Sequence, residues 1–507
     1  MKERAEMPVT VWTKQGQVAG QHARGPTCVF RGIPYARPPI GSLRFRAPEA
    51  PVAWQGVRDA SRFGASAPQD KGLATDIGDR SEDCLYLNVW TPAADGARRP
   101  VLVWIHGGAF TTGSSAQELY DGADLAARGG VVVVTLNYRL GVLGFGYLRD
   151  VLGTDLPANL GLRDQLAALE WVRDNIAAFG GDPENVTLFG ESAGAMSVGV
   201  LLAAPSARGL FRRAIAQSGA AHHVLAPDQA SHVAEALLAA LGSRERLWSA
   251  AAEELVVAQR ACLEQYVLRG PRGRALRQKG FSLLPVVDGA FLSDDPLASI
   301  AAGASREREL LIGVTRDEWN YFVFLNEPDK RDLDEAALLR VFEARLPGLG
   351  ERARAFYRGL LGSEPPAWAI YSAFESDRTF RIPALRLSDA HAASGGKTFE
   401  YLFEYRSPLF RGALGACHAL ELPFVWGTLR GNFGRALTGA GEDEYALSRR
   451  MQEAWLSFAR SGDPSCEALG DWPAYEERVH TTMRLGLSCQ LASGPLDAFR
   501  SFWDGLV

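Results

Sequence analysis

The chain has 507 residues, enough for a large core, and large α/β enzymes of this size often fold as one unit. Lys and Arg total 54 against 59 Asp and Glu, a formal net charge of −5. So small an imbalance speaks against nucleic acid and an anionic membrane surface as partners.

In chain order, the N-terminal stretch MKERAEMPVTVWTKQGQVAG carries charges but no apolar run, so no secretory signal is expected. No run of about eighteen apolar residues follows anywhere, so no membrane-spanning helix is expected either. Val101–Ile105 reads as a buried strand, and His106-Gly107-Gly108-Ala109-Phe110 follows it at once. Val131–Leu136 reads as a second strand. Leu162, Leu166, Leu169, Val172 and Ile176 recur at helical spacing, with Arg163, Asp164, Glu170, Arg173 and Asp174 at the other positions. Gly180-Gly181-Asp182-Pro183 ends that helix. Val186–Phe189 is a third strand, followed by Gly190-Glu191-Ser192-Ala193-Gly194 and a small-residue stretch able to start a helix. Residues 226–277 are Ala/Leu-rich and helical. Leu310–Val314 is a fourth strand, leading into Thr315-Arg316-Asp317-Glu318-Trp319, and residues 331–391 are again mainly helical. The alternation implies an α/β fold, a mostly parallel sheet covered by helices, with the two helical stretches as insertions over it.

The segment around Ser192 has the strand–turn–helix setting of a nucleophile elbow. A sharp turn needs small neighbours, and the helix start points its positive end at the reacting oxygen. The HGG loop sits likewise at a strand end, where its backbone can face a substrate. The N–H groups of Gly107, Gly108 and Ala193 are the expected oxyanion donors. His106 is expected to hold this loop rather than act as a base.

Chain order requires an acid and then a histidine after the serine. His222 and His223 follow it too closely. His232 and His391 sit in helical stretches and His480 among charges, so all three read as surface residues. His418, in Gly415-Ala416-Cys417-His418-Ala419-Leu420-Glu421-Leu422-Pro423-Phe424, follows a glycine-containing loop. For the acid, Glu318 and Asp317 both lie just past a strand, and their positions alone do not separate them.

Together these segments resemble the type-B carboxylesterase family, which includes the cholinesterases. The resemblance extends to Phe30–Ala36, Ser81–Val89, Asn137–Gly141, Gly161–Gln165 and Gln217-Ser218-Gly219. His418–Phe424 is most similar to bacterial p-nitrobenzyl-esterase-like members. The resemblance implies an α/β-hydrolase fold over residues 1–507 as a single domain. It implies a Ser192–His418–Glu318 triad, which favours Glu318 over Asp317, and it makes Glu191 and Ser218 supporting residues. It also implies structural ion pairs of Arg44 with Glu82 and Arg139 with Asp164. Short to medium chain carboxylic esters would be hydrolysed through an acyl-enzyme. Carbamates, polyesters or toxin esters are the alternatives, as is a non-catalytic binding module. No metal or organic cofactor is needed, and a monomer or weak homo-oligomer is expected.

Three departures from the family pattern stand out. Ala67 occupies the place of the cysteine that many secreted relatives pair with the one matching Cys84. The six cysteines, Cys28, Cys84, Cys262, Cys417, Cys466 and Cys489, are therefore read as thiols of a reducing cytoplasm. Lys71–Arg80 lacks the tryptophan that faces choline in cholinesterases, which disfavours choline esters. Trp319 stands where a glycine usually follows the acid, so the local turn is expected to differ. The two helical insertions are expected to lie over the active site and supply most of the pocket, with Phe110, Trp319 and Phe322 as candidate wall residues.

Overall fold

A computed structural model of the chain describes residues 8–23, 25–70, 77–262 and 282–506. The helical stretch expected at 226–277 is therefore described only to Cys262, and residues 71–76 of the tryptophan-free stretch lie outside the described residues.

One sheet runs through the chain: its strands β5 to β11 are Val132–Leu136, Gly181–Glu191, Arg213–Gln217, Glu309–Thr315, Thr398–Phe403, Thr481–Leu485 and Gln490–Ser493, the last of which turns back antiparallel.

 The four before them are β1 Gly16–His22, β2 Cys28–Pro34, β3 Tyr86–Thr91 and β4 Arg99–Ile105. Seven strands, β4 to β10, are parallel, and β11 is the antiparallel edge strand. The order across the sheet is β1-β2-β3-β5-β4-β6-β7-β8-β9-β10-β11, with β1, β2, β3 and β5 successively antiparallel; of the short strands beside β1, Val9–Thr13 pairs with it antiparallel and Val57–Asp59 parallel.

The central strands are continuous apolar runs because helices cover both faces. Every residue of β5 is buried, as are Val101 to Ile105 of β4. The expected strands 101–105, 131–136, 186–189 and 310–314 are all present, each a few residues different in extent. The helix Leu160–Asn175 buries Leu162, Leu169 and Val172 as its spacing predicts. Asp164, expected on its polar face, is instead fully buried, because Arg139 Nε reaches its Oδ2 at 2.8 Å and Arg139 Nη2 its Oδ1 at 2.6 Å. Arg44 and Glu82 form the other implied pair, with Nε to Oε2 at 2.8 Å.

β4 has β5 on one side and β6 on the other, although β5 lies between them in sequence. The connections leaving β4 therefore diverge, and the carboxyl ends of β4 and β6 border the crevice where open α/β sheets place ligands. The HGG loop and Ser192 stand at those two ends.

Candidate active site

Ser192 lies between β6 and the helix Ala193–Ala203, with φ 55° and ψ −124°. A serine seldom adopts that backbone, and such strain persists only where the surroundings fix it. Here the Ser192 N–H donates to Gln217 O at the end of β7 at 2.9 Å, and Ser192 O accepts from Met196 N–H at 2.8 Å. Glycine at 194 is a steric need: a Cβ there would fall 2.0 Å from Ile105 O. β4 and the new helix touch at that point.

The HGG loop is strained in the same way. Gly108, Ala109 and Phe110 have φ of 113°, 53° and 60°. A Cβ on Gly108 would meet Thr112 O at 2.1 Å, and one on Gly107 would lie 3.0 Å from Ser192 Cβ. The loop backbone thus comes up against the serine. The N–H groups of Gly107 and Gly108 make no hydrogen bond to described residues. Ala193, first in its helix, has no intrahelical acceptor for its N–H. His106 is buried beneath, its Nδ1 2.8 Å from Gly107 O and its ring stacked on Tyr138 at 4.6 Å. Burial drives its pKa down to about 4, so the ring is neutral and suited to holding the loop.

Glu318 and His418 meet from loops 100 residues apart: Nδ1 of His418 is 2.6 Å from Glu318 Oε2. Glu318 Oε1 accepts the Thr315 N–H at 2.8 Å, and the carboxylate is fully buried. Asp317 is turned elsewhere, its Oδ2 accepting from Ala416 N–H at 2.8 Å and Arg316 Nη2 at 3.1 Å. Trp319 adopts φ −75° and ψ −8°, ordinary right-handed values, so this turn has no need of a glycine.

The other face of the imidazole holds a contact that sequence reasoning did not supply. Nε2 of His418 is 3.0 Å from Glu191 Oε1, while Ser192 Oγ makes no hydrogen bond to a described residue. Burial by itself would lower the pKa of His418, but the carboxylates of Glu191 and Glu318 outweigh it and raise the imidazole well above its ordinary value. Glu421 is the third buried carboxyl here. Burial first, and then the charges of Glu191 and Glu318, push it up to about 8. Its Oε1 accepts from Gln217 Nε2 at 3.0 Å, and Gln217 Oε1 accepts from Trp455 Nε1 at 3.1 Å. Gln217 and Glu421 both lie in quoted motifs, but spacing along the chain gave no sign that they meet. Ser218, expected as a supporting residue, donates its N–H to Gly313 O at 2.8 Å, and its buried Oγ has no partner among the described residues.

Two expectations about surroundings are corrected. His391 is fully buried, not a surface residue. The helix Ile382–Ala393 packs on the sheet, Nδ1 pairs with Thr398 Oγ1 at 2.8 Å, and burial lowers the ring's pKa to about 4. His232 and His480 are partly exposed, and His480 pairs with Asp497 at 2.6 Å. The helical insertions, expected to build the pocket, do not line it among the described residues. The cavity above Ser192, of about 730 Å³, is walled by the loops after the strands. Gly107 to Ala109, Leu119, Tyr120, Tyr321, Phe322 and Phe433 are among its lining. Phe110 is instead packed under the loop, 4.6 Å from Phe145, and Trp319 lies behind Phe322 at 4.4 Å. The second insertion contributes from behind: Phe380, in the π-helical turn Asp377–Arg381, packs tilted against the His418 ring at 4.5 Å.

Residues 8–503 match the model of the carboxylesterase family. The para-nitrobenzyl esterase of Bacillus subtilis is 40% identical over 495 residues, covering 96% of each chain. Human cocaine esterase is 36% identical over 526 residues, covering 97% of this chain and 90% of its own. Among solved structures, a Geobacillus stearothermophilus carboxylesterase superposes with a TM-score of 0.87 at 41% identity, covering 97% of this chain and 99% of its own.

Proposed function

We infer, from the premise that this chain belongs to the carboxylesterase family and is a carboxylic-ester hydrolase, that Ser192 is its nucleophile, His418 its base and Glu318 the acid that orients the base. The observation that carries this reading is the meeting of three parts on one cavity floor: a strained serine, a buried His418–Glu318 pair at 2.6 Å, and unpaired N–H groups of the HGG loop.

The chemistry follows from what each group can do. Neutral His418, with its Nδ1–H donated to Glu318, accepts the Ser192 hydroxyl proton at Nε2 as Oγ attacks the ester carbonyl. The N–H groups of Gly107, Gly108 and Ala193 receive the developing oxyanion, each such donor contributing about 3–4 kcal/mol in comparable sites. The imidazolium then protonates the departing alcohol, and water repeats the steps on the acyl-enzyme. No step calls for a metal or organic cofactor.

Apolar and aromatic walls, Leu119, Tyr120, Phe322 and Phe433, support short to medium chain esters as substrates. Among described residues no helix is long and apolar enough to cross a membrane. A cytoplasmic location is the companion proposal, supported by six unpaired cysteines and by Ala67 opposite the place of a disulfide; cell fractionation tests it. Ser192→Ala is the test of the central reading. It is expected to abolish p-nitrophenyl butyrate hydrolysis while the circular dichroism spectrum stays that of the wild type. Residual turnover within a hundredfold of wild type overturns it.

A further inference from the structure

The His418 imidazole lies between two carboxylates that come from different strands. Glu318, past the end of β8, is hydrogen-bonded to Nδ1 at 2.6 Å, and Glu191, the last residue of β6, places Oε1 3.0 Å from Nε2, at ion-pair distance but without hydrogen-bond alignment. Both carboxylates are buried, and neither forms an ion pair with a Lys or Arg among the described residues. Nε2 is the nitrogen that must be free to accept the serine proton. We infer that Glu191 competes with Ser192 Oγ for Nε2 of His418, which makes it a positioning residue that decides when the imidazole is available as a base. This rests on the assignment of His418 as base given above.

The geometry separates the two partners of Nε2 clearly. An ionised Glu191 can only accept, so it pairs with a protonated Nε2. Ser192 Oγ presents a donor, so it engages an unprotonated Nε2. Loss of the Nε2 proton therefore breaks the Glu191 contact and allows the serine contact, and the proton leaves to solvent through the cavity. The carboxylate is held against the oxyanion loop: a Cβ on Gly107 would fall 2.8 Å from Glu191 Oε2.

The remaining groups facing His418 do not supply the same attraction. Phe380 lies at 4.5 Å and Phe322 at 5.4 Å, both uncharged. Tyr321 lies at 6.1 Å, and burial raises its hydroxyl pKa, keeping it neutral. Cys417, the preceding residue, is kept a neutral thiol by burial. Glu421, on the same loop, is pushed up to about 8 by burial and by the charges of Glu191 and Glu318, which disfavours its ionised form. Glu191 is thus the charge aimed at Nε2.

The test is the pH profile of p-nitrophenyl butyrate hydrolysis by Glu191→Gln, which keeps the shape and removes the charge. The acid limb of kcat/KM is expected to move at least one pH unit toward acid, so activity relative to the variant's own plateau rises about tenfold below the wild-type limb. Glu191→Asp, whose carboxylate is drawn back by about one bond length of 1.5 Å, is expected to give a limb between the two. An unmoved limb with activity lowered evenly at all pH values overturns the inference and leaves Glu191 a packing residue. A second measurement avoids the variant's folding altogether. ¹⁵N-histidine NMR is expected to show His418 titrating no lower in Ser192→Ala than in the wild type, because the change removes a partner of unprotonated Nε2 and leaves Glu191 beside the protonated form. A His418 titration that falls by more than half a unit in Ser192→Ala overturns it. Should Ser192→Ala keep its turnover, the nucleophile assignment fails, and should His418→Ala keep it, the base assignment fails, each a distinct result.

Discussion

Glu318→Gln tests the tautomer logic of the site more sharply than deletion would. The fully buried carboxylate uses both oxygens: Oε1 accepts the Thr315 N–H at 2.8 Å and Oε2 accepts His418 Nδ1–H at 2.6 Å. A glutamine has one acceptor oxygen and one amide donor. Thr315 N–H can only donate, so the glutamine oxygen stays with it. The amide NH₂ is left facing Nδ1, which must then become the acceptor, and the imidazole proton shifts to Nε2. That nitrogen no longer accepts from Ser192; it donates to Glu191, already 3.0 Å away. A triad carboxylate-to-amide change that imposes the wrong tautomer costs on the order of 10⁴ in kcat, which is about 5.4 kcal/mol of barrier at 1.36 kcal/mol per tenfold. The assay is kcat and kcat/KM for p-nitrophenyl butyrate, with Glu318→Asp as a partner that keeps the charge and is expected to lose less. Activity of Glu318→Gln within tenfold of wild type refutes the reasoning.

Arg139→Met is expected to lower stability by about 3–5 kcal/mol, because it strands Asp164, a fully buried carboxylate, without its bidentate partner; the double change Arg139→Met/Asp164→Leu is expected to recover most of that loss in urea unfolding, and equal midpoints for the two variants would speak against it. Gly194→Ala drives a Cβ to 2.0 Å from Ile105 O. It forces apart the strand β4 and the helix after Ser192, and a displacement near 1 Å at the nucleophile costs about a hundredfold in kcat/KM. A wild-type rate from folded Gly194→Ala enzyme would show that the close approach is not needed.

The parallel core was readable because fully buried strands are unbroken apolar runs, as in Val132-Val133-Val134. The antiparallel strands at the edges were not, since they are short and half exposed: β11 buries none of its residues, and Trp12 in the first flanking strand is exposed. Ser192, His418 and the HGG loop stood out by motif and chain order. Position along the chain did not separate Glu318 from Asp317; the family resemblance favoured Glu318, and their partners, Thr315 for one and Ala416 for the other, give the physical difference. His391 was misread because a polar residue in a helix looks exposed until Thr398 and Ser305, from other segments, satisfy its ring. Phe322 lines the cavity as expected, but Phe110 and Trp319 do not, for a related reason. An aromatic just after a glycine loop, such as Phe110, packs inward when its own backbone takes a positive φ. Glu191 next to the serine is plain in the sequence, but its reach to a histidine more than two hundred residues later is not.

The most direct measurement of the central claim is covalent labelling with a fluorophosphonate, followed by intact-mass and peptide mass spectrometry. Enzyme with Ser192 as nucleophile takes up one phosphonyl group per chain, on the peptide carrying Gly190 to Gly194, and loses ester hydrolysis in step. Full labelling of another residue, or undiminished hydrolysis after Ser192 is modified, would contradict it.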